Sequence, residues 1–133
     1  MGQQESMSME FQQLKELLAK CKSENNPEKT LCHLQALKTF IMAYVIQQNT
    51  LMHQMQDGQA LEGQTEDKLV EKCADCVGDS QKLMAKLHKL LRKYEDDEKN
   101  LDSMEFRAQS SQLINKFDKN LDRFEDVFRH MAA

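Results

Sequence analysis

Tryptophan is absent from this chain, and proline occurs once and glycine four times in 133 residues. Proline and glycine oppose helix most strongly, so their scarcity leaves few points at which a helix must stop. Alternation of apolar and polar residues is missing over any useful length, which argues against β-sheet. No stretch suits a bilayer span. The least charged run, from Thr39 to Gln56, turns to Gln, Asn, Thr and His in its second half, too polar for hydrocarbon. The polar N-terminus lacks the apolar segment of a secretory signal. The thiols of Cys21, Cys32, Cys73 and Cys76 are therefore expected to be reduced, in cytoplasm or nucleus. An excess of positive charge is lacking too. Eighteen Lys and Arg face 22 Asp and Glu, a net charge of -4, where a general nucleic-acid binder is expected to be basic.

What is present is a helix-forming composition of one domain's length. Charged residues make up 30% and are spread along the chain, which argues against disorder. A domain of this size buries roughly two-thirds of its unfolded surface.

Residues 1–7 read as a flexible polar leader, with the first helix starting near Ser8. Met7, Phe11, Leu14, Leu18 and Cys21 recur at helical spacing. Asn26-Pro27-Glu28 is a strong helix start: a capping side chain, a proline whose missing N–H costs nothing, and an acid at the positive end of the dipole. The second helix carries Leu34, Leu37, Ile41, Tyr44, Gln48, Leu51 and Met55. Phe40, Met42, Val45 and Ile46 widen its middle into an apolar girdle, and Asp57-Gly58 closes it. Residues 58–64 read as a flexible loop.

Thr65 is the expected cap of the third helix, whose stripe is Leu69, Cys73, Cys76, Ser80, Leu83, Leu87, Leu90 and Tyr94. Gly78 within it suggests a close helix neighbour. A charged break follows, and Asn100 or Ser103 caps the fourth helix. There Ile114, Phe117, Leu121, Phe124, Phe128 and Met131 form one apolar line. Its outer face alternates in charge, as a solvated surface does. Helices two to four span about 28–32 residues, or roughly 42–48 Å. The fold expected is all-α: an elongated antiparallel bundle of three long helices plus a shorter N-terminal one.

The functional signals are few. Thr39 to Gln56 carries no Lys, Arg, Asp or Glu, whereas a water-facing helix side normally carries Lys, Glu or Arg. Gln48, Met52, His53, Met55 and Gln56 are the candidate partner-binding residues there, methionine being adaptable at interfaces. The competing reading is that this helix is central and wrapped by its own bundle. Lys82, Lys86, Lys89, Arg92 and Lys93 form a basic stretch. It is either a solvated helix end or a contact for an acidic partner or anionic lipid. Met1-Gly2-Gln3-Gln4-Glu5-Ser6 fits the N-myristoylation pattern at Gly2, and one such chain anchors only marginally.

Cys73 and Cys76 form a CxxC. Both fall on the apolar stripe, where cysteine packs as a small hydrophobe. A zinc site would need a second pair of ligands, from Cys21, Cys32 and His33, to converge on them, and no βαβ pattern surrounds the motif as a thioredoxin-like redox role would need. No histidine pair, phosphate-cradling loop or nucleophile elbow is present, and no cofactor is implied. The function expected is a non-enzymatic protein–protein interaction module, an adaptor or small subunit. It would bind a partner or a second copy through helical faces. A membrane-recruited adaptor and a thiol-based switch are the alternatives.

Overall fold

A computed structural model describes residues 2–56, 67–96 and 103–132, with side chains over 11–54, 68–96 and 103–129. The described residues form four helices: α1 (Gly2–Ser23), α2 (Pro27–Gln56), α3 (Asp67–Glu95) and α4 (Met104–Ala132). They form an antiparallel bundle with a shorter α1 and three long helices of 29 or 30 residues. Each helix packs on the next, and α4 closes against α1, so α2 and α4 occupy one diagonal. Ion pairs fix the direction of α1 against α4: Lys15 meets Glu125 and, further along α1, Lys22 meets the earlier Asp118.

The helix starts follow local chemistry. Asn26 Oδ1 accepts the backbone N–H groups of Glu28 at 2.9 Å and Lys29 at 3.3 Å, and Pro27 takes the first helical position. Ser103 caps α4: its Oγ accepts the Phe106 N–H at 3.1 Å; Asn100 lies outside the described residues. The expected cap at Thr65, the Asp57-Gly58 stop and the loop over 58–64 lie outside the described residues.

Two expectations are corrected. The leader over 1–7 is helical from Gly2 onward; Gln3, Gln4, Glu5 and Met7 are sound helix formers, and no glycine or proline lies between Gly2 and Ser8. Gly78 admits no close neighbour, because a Cβ placed there would meet nothing within 4 Å.

The core is one continuous cluster drawn from all four helices. The stripes expected on α1, α2 and α3 are buried over most of their described length. On α4 the buried line is wider than expected and takes in Phe106, Ser110, Leu113, Asn120 and Val127. At one level Phe11, Tyr44, Phe124 and Phe128 meet edge to face, with centroids 5.6–6.4 Å apart. Toward the other end Tyr94 and Phe106 meet edge to face at 4.8 Å. Such pairs add about 0.5–1.5 kcal/mol each beyond their burial.

A polar layer crosses the middle of this core. Asn120 Oδ1 accepts from the Tyr44 hydroxyl at 2.9 Å and the Gln48 amide at 3.4 Å. Asn120 Nδ2 donates to the Cys76 carbonyl at 3.0 Å. The Ser80 hydroxyl lies 2.8 Å from both Asn120 Oδ1 and the Cys76 carbonyl, and its single proton serves one at a time. Among the described residues, the Gln48 carbonyl oxygen has no hydrogen-bond partner.

Candidate interaction site

Helix α2 has two neighbours, so a side of it faces away from the bundle. On that side Phe40 is 39% exposed, Met42 47% and Ile46 64%. Thr39, Ala43, Thr50 and His53 are exposed along with them. Their spacing draws a helical stripe of about 21 Å from Thr39 to His53. It has apolar content and no Lys, Arg, Asp or Glu, which is unusual for a surface that meets only water.

The sequence-predicted partner-binding residues divide. Gln48 is a correction: it is 0% exposed and bonded to Asn120, so it belongs to the core rather than to a surface. Met52 is half-buried and packs on the core. His53 is exposed. The side chains of Met55 and Gln56 lie outside the described residues. The exposed apolar residues sit earlier in the helix, at Phe40, Met42 and Ile46, which sequence reasoning placed in the apolar girdle rather than among the partner-binding residues. Of that girdle, Val45 is buried. The signal was present in the sequence: α2 carries apolar residues on the side opposite Leu37, Ile41 and Tyr44, where α3 and α4 carry charge.

The basic stretch acquires a shape. Lys82, Lys86, Lys89 and Lys93 follow helical spacing on α3 and line two openings between α3 and α4, of about 390 and 700 Å³. Lys116 and Lys119 come from α4, which sequence reasoning treated as an alternating solvated face. Arg92 is exposed and lines neither opening. Lys93 Nζ bonds Glu105 at 2.9 Å, which raises the lysine's pKa, and it lies 5.3 Å from the Tyr94 ring centre.

Gly2 begins α1, whereas Lys93 lies near the end of α3. The antiparallel order puts those points at opposite ends of the bundle, about 30–40 Å apart along its axis. A lipid on Gly2 and the basic stretch therefore do not form one patch. No described helix is long and apolar enough to cross a membrane.

The CxxC lies in the core. Cys21, Cys73 and Cys76 are buried, and Cys32 is exposed. Burial pushes the thiols of Cys21 and Cys73 up to about 11 and raises that of Cys76. Such thiols are poor nucleophiles. Among the described residues, no three His, Cys, Asp or Glu side chains gather where a metal ion could be held.

Compared with known proteins, the chain matches no family model, no curated protein and no solved structure.

Proposed function

We propose that this protein is a non-enzymatic interaction module, an adaptor or small subunit, that binds a helical protein partner through the outward face of α2. The observation that carries this reading is the exposure of Phe40, Met42 and Ile46 on a stripe without charge. An apolar partner face laid on that stripe removes area from water worth about 25 cal/mol per Å². No carboxylate or lysine on the stripe has to be desolvated in return. The rest of the molecule supports a scaffold role: a continuous core, capped starts on α2 and α4, and three helices of 29 or 30 residues. Its four free thiols support a reducing compartment, cytoplasm or nucleus.

A photo-crosslinking residue at position 46 tests this reading in living cells, with the same residue at position 108 as a control on exposed α4. A discrete adduct expected from position 46 and absent from position 108 supports it. Equal labelling at both positions, or none at either, overturns it. Light scattering across a wide concentration range then shows whether the partner is a second copy of this chain.

A further inference from the structure

The lysines between α3 and α4 form a feature that the α2 reading does not use. Lys86 and Lys116 line both openings, so the two lie end to end along one trough between α3 and α4. Lys82 to Lys93 spans roughly 16 Å along α3, and Lys116 and Lys119 face it from α4. Among the described residues, Lys82, Lys86, Lys89, Lys116 and Lys119 make no ion pair. The carboxylates that line the trough are Asp79 and Asp122, at one end, and Asp79 is held by Arg123. This concentration of cations stands out on a chain of net charge -4.

We propose that this trough is a binding site for a compact ligand bearing several phosphate groups. Three observations select that chemistry. The leucines of the floor, Leu83, Leu90 and Leu113, are only 5–7% exposed. A docked amphipathic helix would find little apolar surface there to anchor it, so binding has to be electrostatic. Next, the unpaired cations are all lysines. Lysine lacks the planar fork by which arginine grips one carboxylate or one phosphate; it acts as a point charge, so a cluster of lysines favours a compact ligand of high charge density, as several phosphates on one small molecule provide. Finally, no aromatic ring lines either opening, so bases of single-stranded nucleic acid have nothing to stack on. Lysines converging from two helices surround a small ligand rather than track a long backbone, and the volumes are those of small-ligand sites. The phosphates can come from a soluble inositol polyphosphate or from the headgroup of a polyphosphoinositide lipid. The site stands independently of the α2 reading.

Calorimetric titration of the full chain with inositol hexakisphosphate, near physiological salt, tests the soluble source. Flotation with phosphatidylcholine vesicles containing a polyphosphoinositide tests the lipid source. Phosphatidylserine vesicles of matched charge and a polyglutamate chain are the comparators. The expected dissociation constant is about 10 µM or below. Each lysine near a phosphate contributes on the order of fivefold, so Lys86→Gln with Lys116→Gln is expected to weaken binding by about tenfold or more. Lys20→Gln with Lys72→Gln, exposed and outside the trough, is expected to change it by less than about twofold on the same scale. Circular dichroism checks that each variant is folded; if the first pair unfolds, Lys89→Gln with Lys119→Gln replaces it. Trough-dependent binding of the soluble ligand or of polyphosphoinositide vesicles supports the site and identifies the source. Four outcomes overturn it: no binding, equal loss in both variant pairs, equal binding to phosphatidylserine, or equal binding to polyglutamate.

Discussion

The Tyr44 hydroxyl of α2 donates to Asn120 Oδ1 of α4 at 2.9 Å, across the diagonal of the bundle. The two residues come from helices that are not sequential neighbours, and the bond is buried. Asn120 also serves Gln48, Ser80 and the Cys76 carbonyl, so its loss strands several groups at once. Asn120→Leu is expected to destabilise the protein by about 2–4 kcal/mol, against about 1 kcal/mol for Tyr44→Phe. Urea unfolding of both variants measures this. A smaller effect for Asn120→Leu than for Tyr44→Phe would refute the hub assignment.

Gln48 behaves differently from its partner. Its carbonyl oxygen is buried with no hydrogen-bond partner among the described residues, so the native state already carries that desolvation penalty. Gln48→Met removes the orphaned oxygen and keeps the volume. Its stability is expected to stay within about 1 kcal/mol of the parent, or to rise.

Phe124 is 0% exposed and meets both Phe11 and Tyr44 edge to face. Phe124→Ala is expected to cost about 3–5 kcal/mol. A loss below about 1 kcal/mol in the same urea titration would mean that α1 and α4 are not packed as described.

The outward stripe of α2 and the interior of α3 give opposite expectations. Met42→Glu, one turn from the crosslinking position 46, places a charge where the side chain is 47% exposed. Stability should move by less than about 0.5 kcal/mol while the crosslink to a partner disappears. Gly78→Ala adds a methyl group into open space inside α3. It should raise stability by about 0.5–1 kcal/mol, because alanine is the better helix former.

The thiols should separate by reactivity. With Cys21 and Cys73 pushed up to about 11, about one thiol in a thousand is ionised near pH 8. A disulfide reagent should therefore modify the exposed Cys32 quickly in the native protein. The other three should wait for unfolding. The same shift predicts a pH dependence. An acid whose folded pKa lies above its unfolded value stabilises the fold below the unfolded value. That stability is lost as pH rises from about 9 through about 11. Melting temperatures across that alkaline range check the direction.

Much of the architecture could be read from spacing. Leu34, Leu37, Ile41 and Tyr44 on α2, or Leu83, Leu87 and Leu90 on α3, sit where a repeat of three and four residues puts them. The Asn26-Pro27 start was legible for the same reason: its chemistry is local. What spacing could not show is how many sides of a helix its neighbours cover. Phe40 and Ile46 are apolar by type and exposed by position, because α2 stands at a corner of a four-helix ring. Gln48 is polar by type and buried by position, because Asn120 reaches it from a helix more than 70 residues away in sequence. The trough was half legible. The α3 lysines form a sequence-local stripe, but their union with Lys116 and Lys119 depends on how α3 and α4 pair.

The polar layer also settles a problem of alignment. Long helices with repeating aliphatic stripes can slide past one another by two turns and still bury similar surface. Here Ser80 stands seven residues from Cys73 and from Leu87, Asn120 seven from Leu113 and from Val127, and Gln48 seven from Ile41. Slippage of α4 by that step would set Leu113 or Val127 against Ser80 and leave Asn120 among aliphatic neighbours. Each orphaned group would then cost about 1–3 kcal/mol, and no additional apolar surface would be buried to offset it. Asn120 thus acts as a register pin: it selects one alignment among several nearly equivalent ones, the same use a buried asparagine has in coiled coils. Every outward-facing residue on these helices inherits its height along the bundle from that choice.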